Sequence, residues 1–524
     1  MSTPWRPTRQ YTGNRGACRY GFTCTQFRKN KCTYFHADQD RVKLADSIHR
    51  HAALLAKSQE RLRKMLGGLD AHPDFLAGAN TKGPDGDAAD TSTDQACPVR
   101  ITADRVLASF NKVSDDTIAV PGCPPRFSPP TTHAIQVSHD GDGDGDGDGD
   151  GGSDRDKKRL YPTYTHDLEP LVRAVQCMSP DVGILNGACD IVANAGSIYR
   201  LFNYLVGKSI VTLRCDLEWR PPSPTGMANG DGDGAGGTLL IQQWKDDPDH
   251  HLSYGYGTNF AAATCRFGPD LPEALQTSFS HHRVLYYELG GLRFAVHCEA
   301  DGHYDPHQHD PHQQGRTATV QFPLSPPVSP KLAMSTPTPT PASPRSMAKG
   351  SRFSVLMEDA DDEEAKEAFS SPTLTVDYPC GPAVPVPAGH LVEVKTFDAH
   401  KRQASLSTGA KSAQYVRYRP DSQLYFGRTA QLYEAGHKHG VFEPNVHVEN
   451  VAGRLLRWEE DNQQDLTRLV VFLRDLLRRA AAHAADGRTH LSLVLPGAQD
   501  PSCTDRRATL HGRSDSASFL PETL

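Results

Sequence analysis

At 524 residues, with 37% hydrophobic residues and a mean hydropathy of −0.54, the chain cannot be compact throughout, so one large core with low-complexity appendages is expected. A formal net charge of −7 excludes a protein that coats nucleic acid with its whole surface, and confines any such contact to a local patch. Twelve dispersed cysteines are no disulfide framework, Met1 to Gln10 holds no apolar signal core, and no window approaches the roughly 18 apolar residues of a membrane span; a soluble nuclear or cytoplasmic protein is the expectation.

The first element in chain order is a cysteine cluster. Cys18, Cys24, Cys32 and His36 are separated by five, seven and three residues. Three soft thiolates and one imidazole make a closed tetrahedral zinc site, which replaces the core that so short a segment lacks. Arg19, Tyr20, Phe22, Phe27, Tyr34 and Phe35 lie between and beside the ligands, and no acidic residue occurs from Arg15 to His36. Cations hold phosphates while aromatic faces stack unpaired bases, so single-stranded RNA is the expected ligand. The same aromatics could simply cover the metal, in which case the finger binds protein. Residues 13–38 resemble CCCH zinc fingers in the closing C-x3-H, although that family has a longer first interval and a shorter second one, the reverse of the order here.

Residues 39–69 read as an amphipathic helix, with Ala45, Ile48, Ala52, Leu55, Leu62, Leu66 and Leu69 on one face. It either docks on a neighbouring element or forms a short coiled coil. Residues 70–158 show no sustained period and end in the Asp-Gly run from Asp140, which reads as a disordered linker. A folded α+β domain is expected over 159–496. Its helices are Leu168 to Cys177, Asp190 to Leu205 and Leu466 to Ala481. Its strands are Ser209 to Glu218, Thr238 to Trp244, a hairpin of Val284 to Leu289 with Leu292 to Glu299, Leu391 to Phe397, Tyr415 to Arg419 and Gln423 to Phe426. Residues 221–237 and 303–372 read as insertions, the second opening with four spaced histidines in a solvated loop, and 497–524 as a disordered tail.

Two strings in the domain carry chemistry. Strand alternation turns Glu299 and Asp301 to one side, and likewise Glu393 and Lys395. Three carboxylates can hold magnesium or manganese, which activates water for phosphodiester hydrolysis, with the lysine orienting nucleophile or phosphate; separate solvent-facing charges are the plainer alternative. The order of strings over residues 160 to 480 resembles the DXO-like decapping nuclease family, relatives of the fungal partner of the nuclear exoribonuclease. It runs from Asp190 to Leu205, through Gly255 to Phe260, Glu299-x-Asp301 and Glu393-x-Lys395, to Gln423, Gly436 and Gly440. The resemblance implies a mixed β-sheet nuclease-like core with flanking helices. It also implies metal-dependent removal of defective caps or 5′-end groups from RNA, and an RNA-contacting role for Gln423.

One departure bears on activity. The family carries a metal-binding glutamate after the aromatic of its glycine-started string, whereas Phe260 is followed by Ala261, Ala262 and Ala263. A weak or degenerate nuclease therefore stands beside an active one, and a zinc-dependent interaction scaffold without catalysis is the alternative from another class. Protein partners belong to the scaffold reading, and the oligomeric state is left open by the two readings of the 39–69 helix.

Overall fold

Gly290 and Gly291, at φ values of +56° and +79°, make the tight turn that the expected hairpin requires. Its strands, Ser280–Leu289 and Leu292–Ala300, pair in continuous antiparallel register from Leu289↔Leu292 to His281↔Ala300. They are β10 and β11 of the fold in the computed structural model. The structure describes residues 98–130, 132–140, 166–209, 212–222, 236–244, 255–304, 374–378, 386–400, 420–445, 447–497, 507–514 and 518–521, with Arg402, Leu524 and scattered residues between 56 and 76. The segment 13–38, expected to be a zinc finger, lies outside the described residues. So do most of 39–69, most of the insertions 221–237 and 303–372, and the expected strand Tyr415 to Arg419.

In chain order the elements are β1 (Asp74–Phe75), β2 (Ile101–Lys112), β3 (Thr117–Ala119), β4 (Arg126–Phe127), β5 (Ile135–Gln136), α1 (Glu169–Met178), β6 (Ile191–Asn194), α2 (Ala195–Leu205), β7 (Leu213–Arg220), β8 (Thr238–Gln243), α3 (Gly257–Thr264), β9 (Cys265–Arg266), α4 (Glu273–Gln276), β10 and β11. There follow β12 (Gly302–His303), β13 (Thr375–Asp377), β14 (Leu391–Asp398), α5 (Asp421–Phe426), β15 (Gln431–Lys438), β16 (Val441–Phe442), β17 (Glu449–Asn450), α6 (Ala452–Asp461), α7 (Gln463–Ala485), β18 (His490–Leu495) and β19 (Thr509–Gly512).

Among the described residues these strands form two mixed sheets. One runs β1-β19-β18-β7-β8-β6-β11-β10-β2-β3-β13; the other runs β5-β16-β15-β14-β12-β4-β9, with β17 also on β15. Alternation divides the first sheet between two cores. Ile191, Ala193, Phe294 and Val296 pack with Phe202 of α2 and Phe472, Leu473 and Leu476 of α7. Val192 and Ala295 face the other way, into Leu171, Val172 and Val175 of α1. The second sheet has its own core, in which Val392, Tyr433 and Phe442 meet Phe260 of α3. The α+β class and the flanking helices expected from the sequence are those observed.

Several boundaries differ from expectation, each for a physical reason. The segment 70–158 is not a linker throughout, because β2 lies between β10 and β3 in the larger sheet. Its period-2 pattern is broken by Ala103 at φ +54° and by Asp104, which is half-buried in an ion pair with Arg428 at 2.9 Å. Asp140, the first residue of the Asp-Gly run, accepts the Thr258 and Asn259 backbone N–H groups at 3.3 and 3.0 Å and so caps α3. The tail beyond 497 contributes β19, paired with β18, and buries Leu520. A strand of four residues leaves too short a pattern to read.

Residues Asp190 to Leu205 are not one helix: Ile191–Asn194 is a strand between β8 and β11, buried on both faces and hence apolar without a period. The string Gln423 to Phe426 is a helix rather than a strand. In the segment before 70, Met65 rather than Leu66 is buried, and the Met65 carbonyl accepts Arg214 Nη1 at 2.7 Å, so this end docks on β7.

Candidate active site

The site forms where one strand passes from the first sheet to the second. After Ala300, β11 ends, Asp301 follows, and the chain re-enters pairing as β12, with Gly302 opposite Val392 of β14. A Cβ on Gly302 would stand 3.2 Å from Cys265 Sγ, Phe127 Cβ and the Pro125 carbonyl at once, so the crossing demands glycine. His303, expected in a solvated loop, belongs to β12, with Nδ1 3.1 Å from the Pro125 carbonyl oxygen.

This crossing brings the two strings together. The Val394 backbone N–H donates to Asp301 Oδ2 at 2.7 Å. Glu393 is buried at 7% exposure, and its Oε1 accepts two bonds: Lys395 Nζ at 2.5 Å and Gln423 Nε2 at 2.7 Å. Glu393 and Lys395 share one face of β14 because Val392 and Val394 occupy the other, in the core of the second sheet. Gln423 reaches them from α5, whose Leu424, Tyr425 and Phe426 anchor it in the first core.

The electrostatics are those of a carboxylate crowd. Burial pushes the Asp301 carboxyl well above its usual range; the negative charge of Glu393 pushes it further, and Lys395 pulls it partly back. Glu299 presents open surface, yet the protein around it withholds enough water that desolvation raises its carboxyl too. Lys112 opposes that rise and Glu393 adds to it. Among the described residues, no group of three His, Cys, Asp or Glu side chains is drawn close enough to hold a metal ion as placed. Glu299, Asp301 and Glu393 thus share one electrostatic neighbourhood without being closed into a cage. All are hard oxygen donors, the chemistry that suits magnesium or manganese, and their mutual repulsion is what a divalent cation would relieve.

A stability test follows from this repulsion. A carboxyl raised in the folded state carries its cost above the folded pKa and loses it as pH falls through that value to the unfolded one. Asp301→Asn keeps an oxygen for the Val394 N–H and removes the charge. In metal-free protein at neutral pH the variant is expected to be more stable by on the order of 1 kcal/mol, with the gain vanishing on acidification. Equal melting temperatures at pH 7 would contradict the repulsion.

Two features were missed in the sequence. The first is Lys112, in a segment read as linker. The second is a buried chain of polar side chains beside Glu299. Ser280 Oγ lies 2.7 Å from His282 Nε2, His282 Nδ1 lies 2.9 Å from His297 Nε2, and His297 Nδ1 lies 2.6 Å from Asn194 Oδ1. Phe110 stacks on both rings, at centroid distances of 5.1 and 5.4 Å. Burial, reinforced by Lys112, pushes His297 down to about 3 and His282 well below its usual range, so both rings are neutral at pH 7. With the Asn194 oxygen as acceptor, the neutral rings order the bonds one way: Ser280 to His282, His282 to His297, His297 to Asn194. The alternating strings Ser280-x-His282 and His297-x-Glu299 were the available signal. Neither is distinctive without the pairing of their strands.

A family profile described as a domain of unknown function, DUF8563, matches residues 236–336 and 357–493. No curated protein matches the chain. Among solved structures the chain is similar to Candida albicans Rai1 in complex with pU5 and manganese, at 11% identity and a TM-score of 0.44, covering 86% of this chain and 98% of that one. It is also similar to K. lactis Dxo1 in complex with manganese, at 8% identity and a TM-score of 0.41, covering 85% and 98%. A third is Scheffersomyces stipitis Rai1 in complex with 3′-NADP and calcium, at 10% identity and a TM-score of 0.41, covering 81% and 96%.

Proposed function

We propose that the chain is a weak, divalent-metal-dependent hydrolase of RNA 5′ ends, with an N-terminal zinc finger that holds single-stranded RNA. The observation that carries the catalytic part is the meeting of Glu393, Lys395, Gln423 and Asp301 at one strand crossing, with Glu299 in electrostatic contact. Glu299, Asp301 and Glu393 would hold magnesium or manganese, which when bound supplies an activated water and charge stabilisation at the leaving oxygen. The protein's own groups do the positioning. Lys395 and Gln423 both bind Glu393 Oε1 and fix that carboxylate's orientation, while the Val394 N–H fixes Asp301. Lys395 keeps a positive charge beside these carboxylates for a phosphate.

The activity is weak because, as the resemblance implies, the carboxylate set is short by one: Phe260 is followed by Ala261, Ala262 and Ala263 and not by a glutamate. The zinc finger rests on Cys18, Cys24, Cys32 and His36 at their spacing, and its RNA contact on Arg19, Tyr20, Phe22, Phe27, Tyr34 and Phe35. The test is incubation of the full chain with capped or 5′-phosphorylated RNA and manganese. Slow release of a 5′ product, abolished by a chelator that leaves the finger's zinc in place, is expected. Absence of any manganese-dependent product would leave the interaction scaffold as the better reading.

A further inference from the structure

We infer that Lys112 is a phosphate-binding residue of the same site, holding an RNA backbone phosphate on the Glu299 side while Lys395 serves the Glu393 side. This rests on the RNA-hydrolase reading and extends it to a strand that the sequence strings do not include. The placement comes from register. β2 and β10 pair without interruption from Lys112↔Ser280 to Ala108↔Val284, and the register shifts fall only beyond Val284. Within this regular stretch successive side chains alternate faces. Phe110 stacks on His282 and His297, which fixes its face. Asn111 points the other way, its amide bonding the Cys123 carbonyl at 3.0 Å and its oxygen meeting His281 Nδ1 at 2.7 Å. Lys112 therefore lies on the face of Phe110 and His282, and His282 is the register partner of Glu299.

The surrounding groups narrow the role. All four ring nitrogens of His282 and His297 are engaged within the Ser280-to-Asn194 chain, so the imidazoles offer no donor to a ligand. Lys395 donates to Glu393 and acts on both Glu299 and Asp301. Lys112 is the leading opposite charge on Glu299. Lys112 of β2 and Lys395 of β14 thus approach the carboxylates from different strands, Lys112 with β10 between it and Glu299. A lone carboxylate site for a metal needs no such second lysine, whereas a polyanion crossing the site does.

The probe is a labelled, 5′-phosphorylated single-stranded RNA, titrated into the full chain in the presence of calcium at several salt concentrations. Lys112→Gln keeps the aliphatic stem and removes the charge; Lys112→Arg keeps the charge. One lost phosphate contact should make the dependence of log affinity on log salt shallower by about 0.7. The wild-type slope should return in Lys112→Arg, and manganese affinity should be undiminished in both variants, which a merely structural role would not produce. A Lys112→Gln protein that is folded and binds with the wild-type slope overturns the inference while leaving the hydrolase reading intact. A wild-type chain with no RNA affinity at all overturns both.

Discussion

Replacing Glu393 by glutamine should lower manganese-dependent release of a 5′ product by at least about 10²–10³-fold, the loss typical of removing one preorganised electrostatic group from a reacting centre. Glu393 is the hub of the site. Its Oε1 receives Lys395 and Gln423, and its charge is the largest opposing one on Asp301. Glutamine matches its shape, so the β14–β15 pairing and the Val392 and Val394 packing are expected to survive. What is lost is the negative charge that draws a divalent cation and neutralises Lys395. The measurement is single-turnover hydrolysis with melting curves alongside. Wild-type rates in a folded Glu393→Gln protein would remove the site from the mechanism.

The second large effect concerns the other end of the chain. Cys32→Ser should reduce bound zinc from one per chain to near zero and unfold the finger, because in short zinc domains metal affinity supplies the folding free energy, about 10–16 kcal/mol in finger peptides. Single-stranded RNA affinity should fall with it, since the aromatic and basic side chains between the ligands lose their arrangement. The main cooperative melt should stay in place, as the described cores draw on none of residues 13–38. Metal analysis of the purified variant is the check, and stoichiometric zinc in Cys32→Ser would show that the cluster is not the binding site.

The contrast between what the sequence revealed and what it hid follows strand length and pairing. β10 and β11 were legible because a two-glycine turn joins two apolar runs, β14 because Val392 and Val394 alternate with Glu393 and Lys395, and α7 because Leu469, Phe472, Leu473, Leu476 and Leu477 repeat at helical spacing and are all buried. Alternation gave only the common side of each pair; that Glu299-x-Asp301 and Glu393-x-Lys395 meet was what the family resemblance implied. β2 could not, since Ala103 departs from strand geometry and the Asp104 and Arg428 ion pair places charge where a strand pattern calls for an apolar residue. Lys112 was lost with it. The imidazole chain joins Asn194, His282 and His297 from three strands, and no single-segment pattern contains it. Asn194 shows the same limit in miniature: it precedes α2 as a helix cap would, yet its side chain makes no cap bond and goes to His297 instead.

The crossing of β11, β12 and β14 is expected to take up a divalent cation. The most direct measurement is a calorimetric titration of manganese into the zinc-loaded full chain, wild type beside Asp301→Asn. Because Asp301→Asn should be at least as stable as wild type without metal, a difference between them reports the site and not the fold. Saturable binding to the wild type that is weakened at least about tenfold in Asp301→Asn is the expected result; no manganese binding by the wild type, or equal binding by both proteins, would contradict it.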